Sequence, residues 1–170
     1  MASRSADVKI KGLREARAAL KKLPAKSVGR VLKSAVSKAA TVVVKAAKRL
    51  VPLGDGLKPD GTPREHLRKT ITKTKAKVYK NGSVVVTIGP RYKAAPHSHL
   101  VDLGTKPHQI TLTKPWLNLP AGSVINHPGA EAAHFMDRAI AATQSQAAAK
   151  MESAIASGIE REAAKLAGKK

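Results

Sequence analysis

His99-Leu100-Val101-Asp102-Leu103-Gly104-Thr105-Lys106 joins a short apolar run to a glycine stop. The spacing predicts a short helix over 96–103, with Gly104 as a left-handed C-cap. Further on, Pro128-Gly129 predicts a turn that feeds a second helix, opened by Ala133-His134-Phe135-Met136-Asp137-Arg138-Ala139. Neither stretch looks catalytic. Each couples an apolar face to a backbone device, an arrangement suited to a protein that works by packing against neighbours.

Towards the N-terminus, Asp7-Val8-Lys9-Ile10-Lys11 alternates as a short strand. Gly12 then opens a helical segment with Leu13, Ala16, Leu20 and Leu23 at helix spacing, stopped by Pro24. A longer helix is expected over 27–51. Its apolar stripe is Val28, Val31, Leu32, Ala35, Ala39, Val42, Val43, Ala46 and Leu50, and Lys26, Arg30, Lys33, Lys38, Lys45, Lys48 and Arg49 occupy other positions around it. Glycines and prolines make 52–63 a flexible loop, followed by a helical turn over 65–70.

Segments 71–79 and 83–88 flank Asn81-Gly82, the dipeptide suited to the positive dihedrals of a tight hairpin turn. Lys73, Lys75 and Lys77 are expected on one face as a lysine ridge, with Thr72, Thr74, Ala76 and Val78 on the other. His108, Ile110 and Leu112 alternate as a third strand, whereas 115–128, which contains the only Trp, reads as irregular. From about residue 130 to the mid-160s the pattern is helical, with a stripe of Met136, Ile140, Ala147, Met151, Ile155, Ile159 and Leu166. The predicted fold is α+β: a small antiparallel sheet, including the 71–88 hairpin, packed against a long helix of the N-terminal half, plus a long C-terminal helix. Residues 1–130 form the core domain, and 131–170 a helix or arm belonging to it or to an assembly.

The chain has 170 residues, a formal charge of +21, no cysteine, and only Phe135, Trp116, Tyr79 and Tyr92 as aromatics. Small apolar side chains bury little area each, so part of the stability is expected from contacts between subunits. The charge favours polyanions or acidic proteins as neighbours. Lys26, Arg30, Lys33, Lys73, Lys75 and Lys77 are the candidate contacts to a DNA channel or to an acidic partner. Base readout lacks its usual signatures, and aromatics are too few for stacking platforms. Absent cysteines exclude disulfides and thiolate metal sites. His97, His99, Asp102 and His108 invite a metal reading, but their spacing matches no strong metal signature. No serine sits in a nucleophile elbow, and the glycine-rich loop lacks the Gly-Lys-[Ser/Thr] ending that binds phosphates. No cofactor and no enzymatic activity are expected. Without a signal-like or membrane-length apolar run, the chain reads as soluble and made in the cytoplasm.

The order of the elements resembles the tail-component and head–tail joining family of long-tailed bacteriophages, a group related to the lambda tail-completion protein. The resemblance rests on Val8-Lys9-Ile10-Lys11-Gly12-Leu13, Leu20-Lys21-Lys22-Leu23-Pro24, Ala47-Lys48-Arg49-Leu50-Val51-Pro52, Leu67-Arg68-Lys69-Thr70-Ile71, the 99–105 stretch and Phe135-Met136-Asp137-Arg138-Ala139. It spans roughly Val8 to Ile140. Asp102 and Leu103 stand where the family motif commonly has Glu and Phe. The resemblance implies a virion protein of the neck or tail top, assembled as a homo-oligomeric ring, a hexamer ahead of a dodecamer. Such a ring joins or completes the tail, contacts adjacent neck and tail proteins, and surrounds double-stranded DNA without reading its sequence. Leu100, Val101, Asp102, Leu103, Gly104, Phe135, Met136 and Arg138 are then candidate core or interface anchors. The alternative is a basic, sequence-independent nucleic-acid-binding protein.

Overall fold

The computed structural model describes residues 13–52, 67–115 and 118–168. The strand expected at 7–11, nearly all of the 52–63 loop, and Trp116 lie outside these residues. Helices α1 (Leu13–Lys21) and α2 (Ala25–Leu50) meet at Pro24, which is extended and accepts the Ser27 N–H at 2.8 Å. Proline cannot continue α1 for want of an N–H, but its fixed φ suits entry into α2. At the other end, Val51 precedes Pro52 and is driven into the extended region (φ −65°, ψ 132°), which stops α2.

Next come α3 (Leu67–Thr70), β1 (Ile71–Lys73), β2 (Lys77–Val78), β3 (Val84–Val85) and β4 (Ile88–Pro90). Helix α4 (Ser98–Leu103), β5 (His108–Thr111), β6 (Val124–His127) and the long α5 (Phe135–Ala167) complete the order. The fold is α+β as expected, with the strands paired as β1–β4, β2–β3 and β5–β6, all antiparallel. Strand β6 falls in the stretch expected to be irregular.

Helices α2 and α5 run antiparallel in contact: Val31 lies against Gly158 near one end, and Ala46 and Ala47 share a cluster with Phe135 and Ala139 near the other. That cluster also holds Val51 and Ile71, and Phe135 is its largest fully buried side chain. A second cluster joins Val31 and Ala35 to Ala154 and Ile155, with Ala16 and Leu20 of α1 packed on it. The face that α5 buries is Phe135, Ala139, Thr143, Ala148, Ala154, Ile155, Gly158 and Glu162. Of the expected stripe only Ile155 is fully buried; Met136, Ile140, Ala147, Met151 and Ile159 are half-buried, and Leu166 is exposed. The reason is geometric. Where two helices approach closely the smallest residues occupy the contact line, and larger ones flank it.

The other side of α2 carries the β1–β4 hairpin. Lys73 pairs with Ile88, but Lys77 pairs with Val85, so residues 74–76 on one strand span residues 86–87 on the other. This is a bulge of one residue, held where Thr74 N–H donates to Thr87 O and Thr74 Oγ1 accepts the Thr87 N–H, both at 2.9 Å. Because side chains alternate with period 2, one extra residue reverses the faces beyond it. Lys73 accordingly turns towards α2, where its Nζ donates to the Ser37 carbonyl and hydroxyl and to Thr41 Oγ1 at 2.8 Å. Lys75 and Lys77 are exposed. The lysine ridge expected from strict alternation is therefore broken at Lys73. The turn differs too: Gly82 N–H donates to Tyr79 O and Tyr79 N–H to Ser83 O, which makes a three-residue loop in which only Gly82 has positive φ.

A Cβ added at Gly158 would lie 2.8 Å from Val31 Cγ1. Gly158→Ala is expected to destabilise the chain by about 1–3 kcal/mol in urea unfolding. Adding Val31→Ala should return part of that loss, a coupling that a double-mutant cycle measures.

Candidate assembly surface

The two stretches that open the sequence reading meet in space. Val101 O and Asp102 O accept the N–H groups of Ala133 and His134 at 3.1 and 2.9 Å, and Asp102 Oδ1 accepts the Met136 N–H at 3.2 Å. The cap residue of α5, His134, is left-handed and supplies no side-chain cap, so Asp102 fills that role from the end of α4. Thr105 and Ala130 then exchange backbone hydrogen bonds at 2.9 and 3.0 Å.

Both glycines at this crossing are sterically required. Gly104 has φ 70° and ψ 178°, not the left-handed C-cap expected, and a Cβ there would lie 2.6 Å from Ala130 O. Gly129 has φ 86°, and its Cβ would fall against Thr105 O. Two backbones thus pass where no side chain fits.

Among the candidate anchors, Phe135 is fully buried, and Val101 and Met136 pack half-buried on its cluster. Leu100 and Leu103 project outward, 42% and 57% exposed, and Arg138 is exposed. The α4 helix therefore sends Val101 inward and presents two leucines to solvent. Beside it the β5–β6 hairpin stands out from the helices. Every residue of β5 is exposed, and Ile110, Leu119 and Val124 add to the apolar surface. His108 and His127 are cross-strand partners with ring centroids 5.0 Å apart. An isolated two-stranded hairpin is marginal in water. Sequence reasoning found β5 but missed β6, Val-Ile-Asn-His, because its two apolar residues are adjacent and show no alternation.

The basic candidates divide into exposed side chains and side chains bonded within the fold. Lys26 and Lys33 on α2 and Lys75 and Lys77 on the hairpin are exposed, with Lys77 Nζ 5.0 Å from the centre of the Tyr79 ring. Lys73 is bound to α2. Arg30 pairs with Glu162, which also receives Lys165 Nζ at 3.1 Å. Glu162 is buried against α2 although its partners reach solvent, and hydrogen bonds from Arg30, Ser27 and Lys165 hold its carboxyl at about 2. The metal reading finds no convergence. His99 Nδ1 bonds Pro96 O, His108 Nδ1 bonds Lys106 O, and Asp102 is taken up by α5; among the described residues no three candidate ligands cluster.

Residues 14–104, more than half of the chain, match the family model described as "Bacteriophage HK97-gp10, putative tail-component". The chain belongs to this HK97-gp10-like family. It is a phage tail component, which places it in the virion. The match runs from α1 to the Gly104 stop, so the Phe135–Ala139 motif lies beyond it. Neither curated proteins nor solved structures give a match. Among the described residues, no helix is long and apolar enough to cross a membrane.

Two measurements check this geometry. Gly122 also has positive φ (88°) but open space around it. Gly129→Ala should therefore lower stability by about 2 kcal/mol more than Gly122→Ala, because only Gly129 adds a clash to the backbone cost. The second concerns Glu162. Its carboxyl lies below the ordinary value of 4.5, so the unfolded chain binds that proton first. The stabilisation is complete above about 4.5 and is lost as pH falls towards about 2. Glu162→Gln should flatten this slope in denaturant titrations across that window.

Proposed function

We propose that this tail component forms a ring at the neck or tail top that joins or completes the tail and surrounds the DNA passage. The observation that carries the reading is the exposure of Leu100 and Leu103 on α4 together with that of β5, the strand that follows it, every residue of which is exposed. Leu112 at the base of the arm is buried, but the apolar side chains exposed on the arm, Ile110 and Val124, gain burial from a neighbour. A closed ring uses one patch against a different patch on the next subunit, so this face need not match itself. Adjacent neck and tail proteins provide the contacts above and below.

The charge supports the same arrangement. A field of +21 attracts passing double-stranded DNA without reading bases, and among the described residues Lys26, Lys33, Lys75 and Lys77 are exposed and make none of the hydrogen bonds that hold Lys73 and Arg30. A hexamer is the expected ring.

Native mass spectrometry and negative-stain imaging of the purified chain test this. The wild type should assemble as a ring, and Leu103→Asp with Val124→Asp should give monomers while changing thermal stability little, because both positions are exposed. A monomeric wild type that binds DNA with a steep salt dependence would overturn the ring in favour of a nucleic-acid binder.

A further inference from the structure

An open groove of about 540 Å³ lies between α1, the first turns of α2 and the tip of the β2–β3 hairpin, on a surface separate from the α4 and β5–β6 face. Leu20, Leu23, Val28, Leu32, Val78 and Tyr79 supply its apolar lining. Arg17, Lys21 and Lys80 complete the wall, and among the described residues no carboxylate contributes to it. The bulge in the hairpin is what turns Val78 towards this groove while Lys77 stays exposed.

Gly29 lies in the groove wall, within α2, and is the second observation. A glycine inside a helix costs about 0.5–1 kcal/mol relative to alanine. Gly158 has a reason for its missing side chain, since Val31 fills that space. Among the described residues Gly29 has none: its φ is not positive, and a Cβ added there meets nothing within 4 Å. The bare backbone leaves the groove deeper than the chain's own packing requires.

We infer that this groove docks an apolar segment flanked by carboxylates, presented by another protein. Apolar side chains of that segment lie along α2 over Gly29, and its carboxylates meet Arg17, Lys21 and Lys80. Charge selects this occupant. The rim offers Arg17, Lys21 and Lys80, which an acidic segment complements, whereas the chain's own first residues, with Arg4, Lys9 and Lys11 against Asp7 alone, would bring positive charge to a positive rim. The inference rests on the groove and Gly29 and is independent of the ring.

The test uses the full chain and three fluorescent peptides read by anisotropy. The first is an amphipathic Leu/Glu peptide, the second has Lys in place of its Glu, and the third has Ser in place of its Leu. Only the Leu/Glu peptide should bind well. Gly29→Phe, which fills the groove from an open position, should weaken it about tenfold, as should Arg17→Glu with Lys21→Glu. Helix content by circular dichroism should be preserved in the variants, so lost binding is not lost folding. Equal binding of the Ser peptide would show attraction by charge alone and overturn the inference. So would unchanged binding by Gly29→Phe, or no binding by any peptide. Loss of self-association in Gly29→Phe would also overturn it, by assigning the groove to a second copy.

Discussion

The close approach of α2 and α5 through small side chains is the constraint on which the rest of the structure depends. A chain with few aromatics cannot fill a wide interior, so its stability comes from backbones brought near one another over a long antiparallel contact. Ala35, Ala46 and Ala47 meet Ala139, Ala154 and Gly158 along that line, with Phe135 and Ile71 closing one end. Dispersion contacts accumulate over such an interface although each side chain is small. The Arg30–Glu162 pair fixes the far end and carries a charge that would otherwise be costly to bury.

From this pair the functional features follow as appendages. α2 offers its second side to the hairpin, and the hairpin's bulge divides Lys73, which serves the fold, from Lys75 and Lys77, which face outward. The crossing at Gly104 and Gly129 anchors the root of the β5–β6 arm against the start of α5. Leu100 and Leu103 stand at that crossing, on the helix that precedes the arm.

Much of this was legible from local signals. Prolines marked both ends of α2 within about two residues, and the helix expected over 96–103 forms over Ser98–Leu103, although Gly104 ends it without the left-handed cap. That stop and Phe135–Ala139 were legible as two motifs in order along the chain, whereas their contact and the capping of α5 by Asp102 are seen only in the structure. Other features were hidden for physical reasons. The α5 stripe was sought among large apolar residues, whereas close helix packing selects alanine and glycine. The lysine ridge assumed unbroken alternation, and one extra residue at 74–76 reverses it. Strand β6 sets Val124 and Ile125 side by side and so shows no alternation. The split between inward Val101 and outward Leu100 and Leu103 depends on how α4 is rotated, which a six-residue helix does not reveal by pattern.

The central claim is that the α4 and β5–β6 face is buried by a neighbour in the assembled particle while the α2–α5 pair is unchanged. A cryo-electron microscopy reconstruction of the virion's neck and tail, traced through this chain, tests it most directly. The expected result is density from an adjacent subunit over Leu100, Leu103, Ile110 and Val124, with α2 and α5 superimposing on the structure described above. A subunit in which those residues face solvent and the basic α2 face alone makes contacts would contradict it.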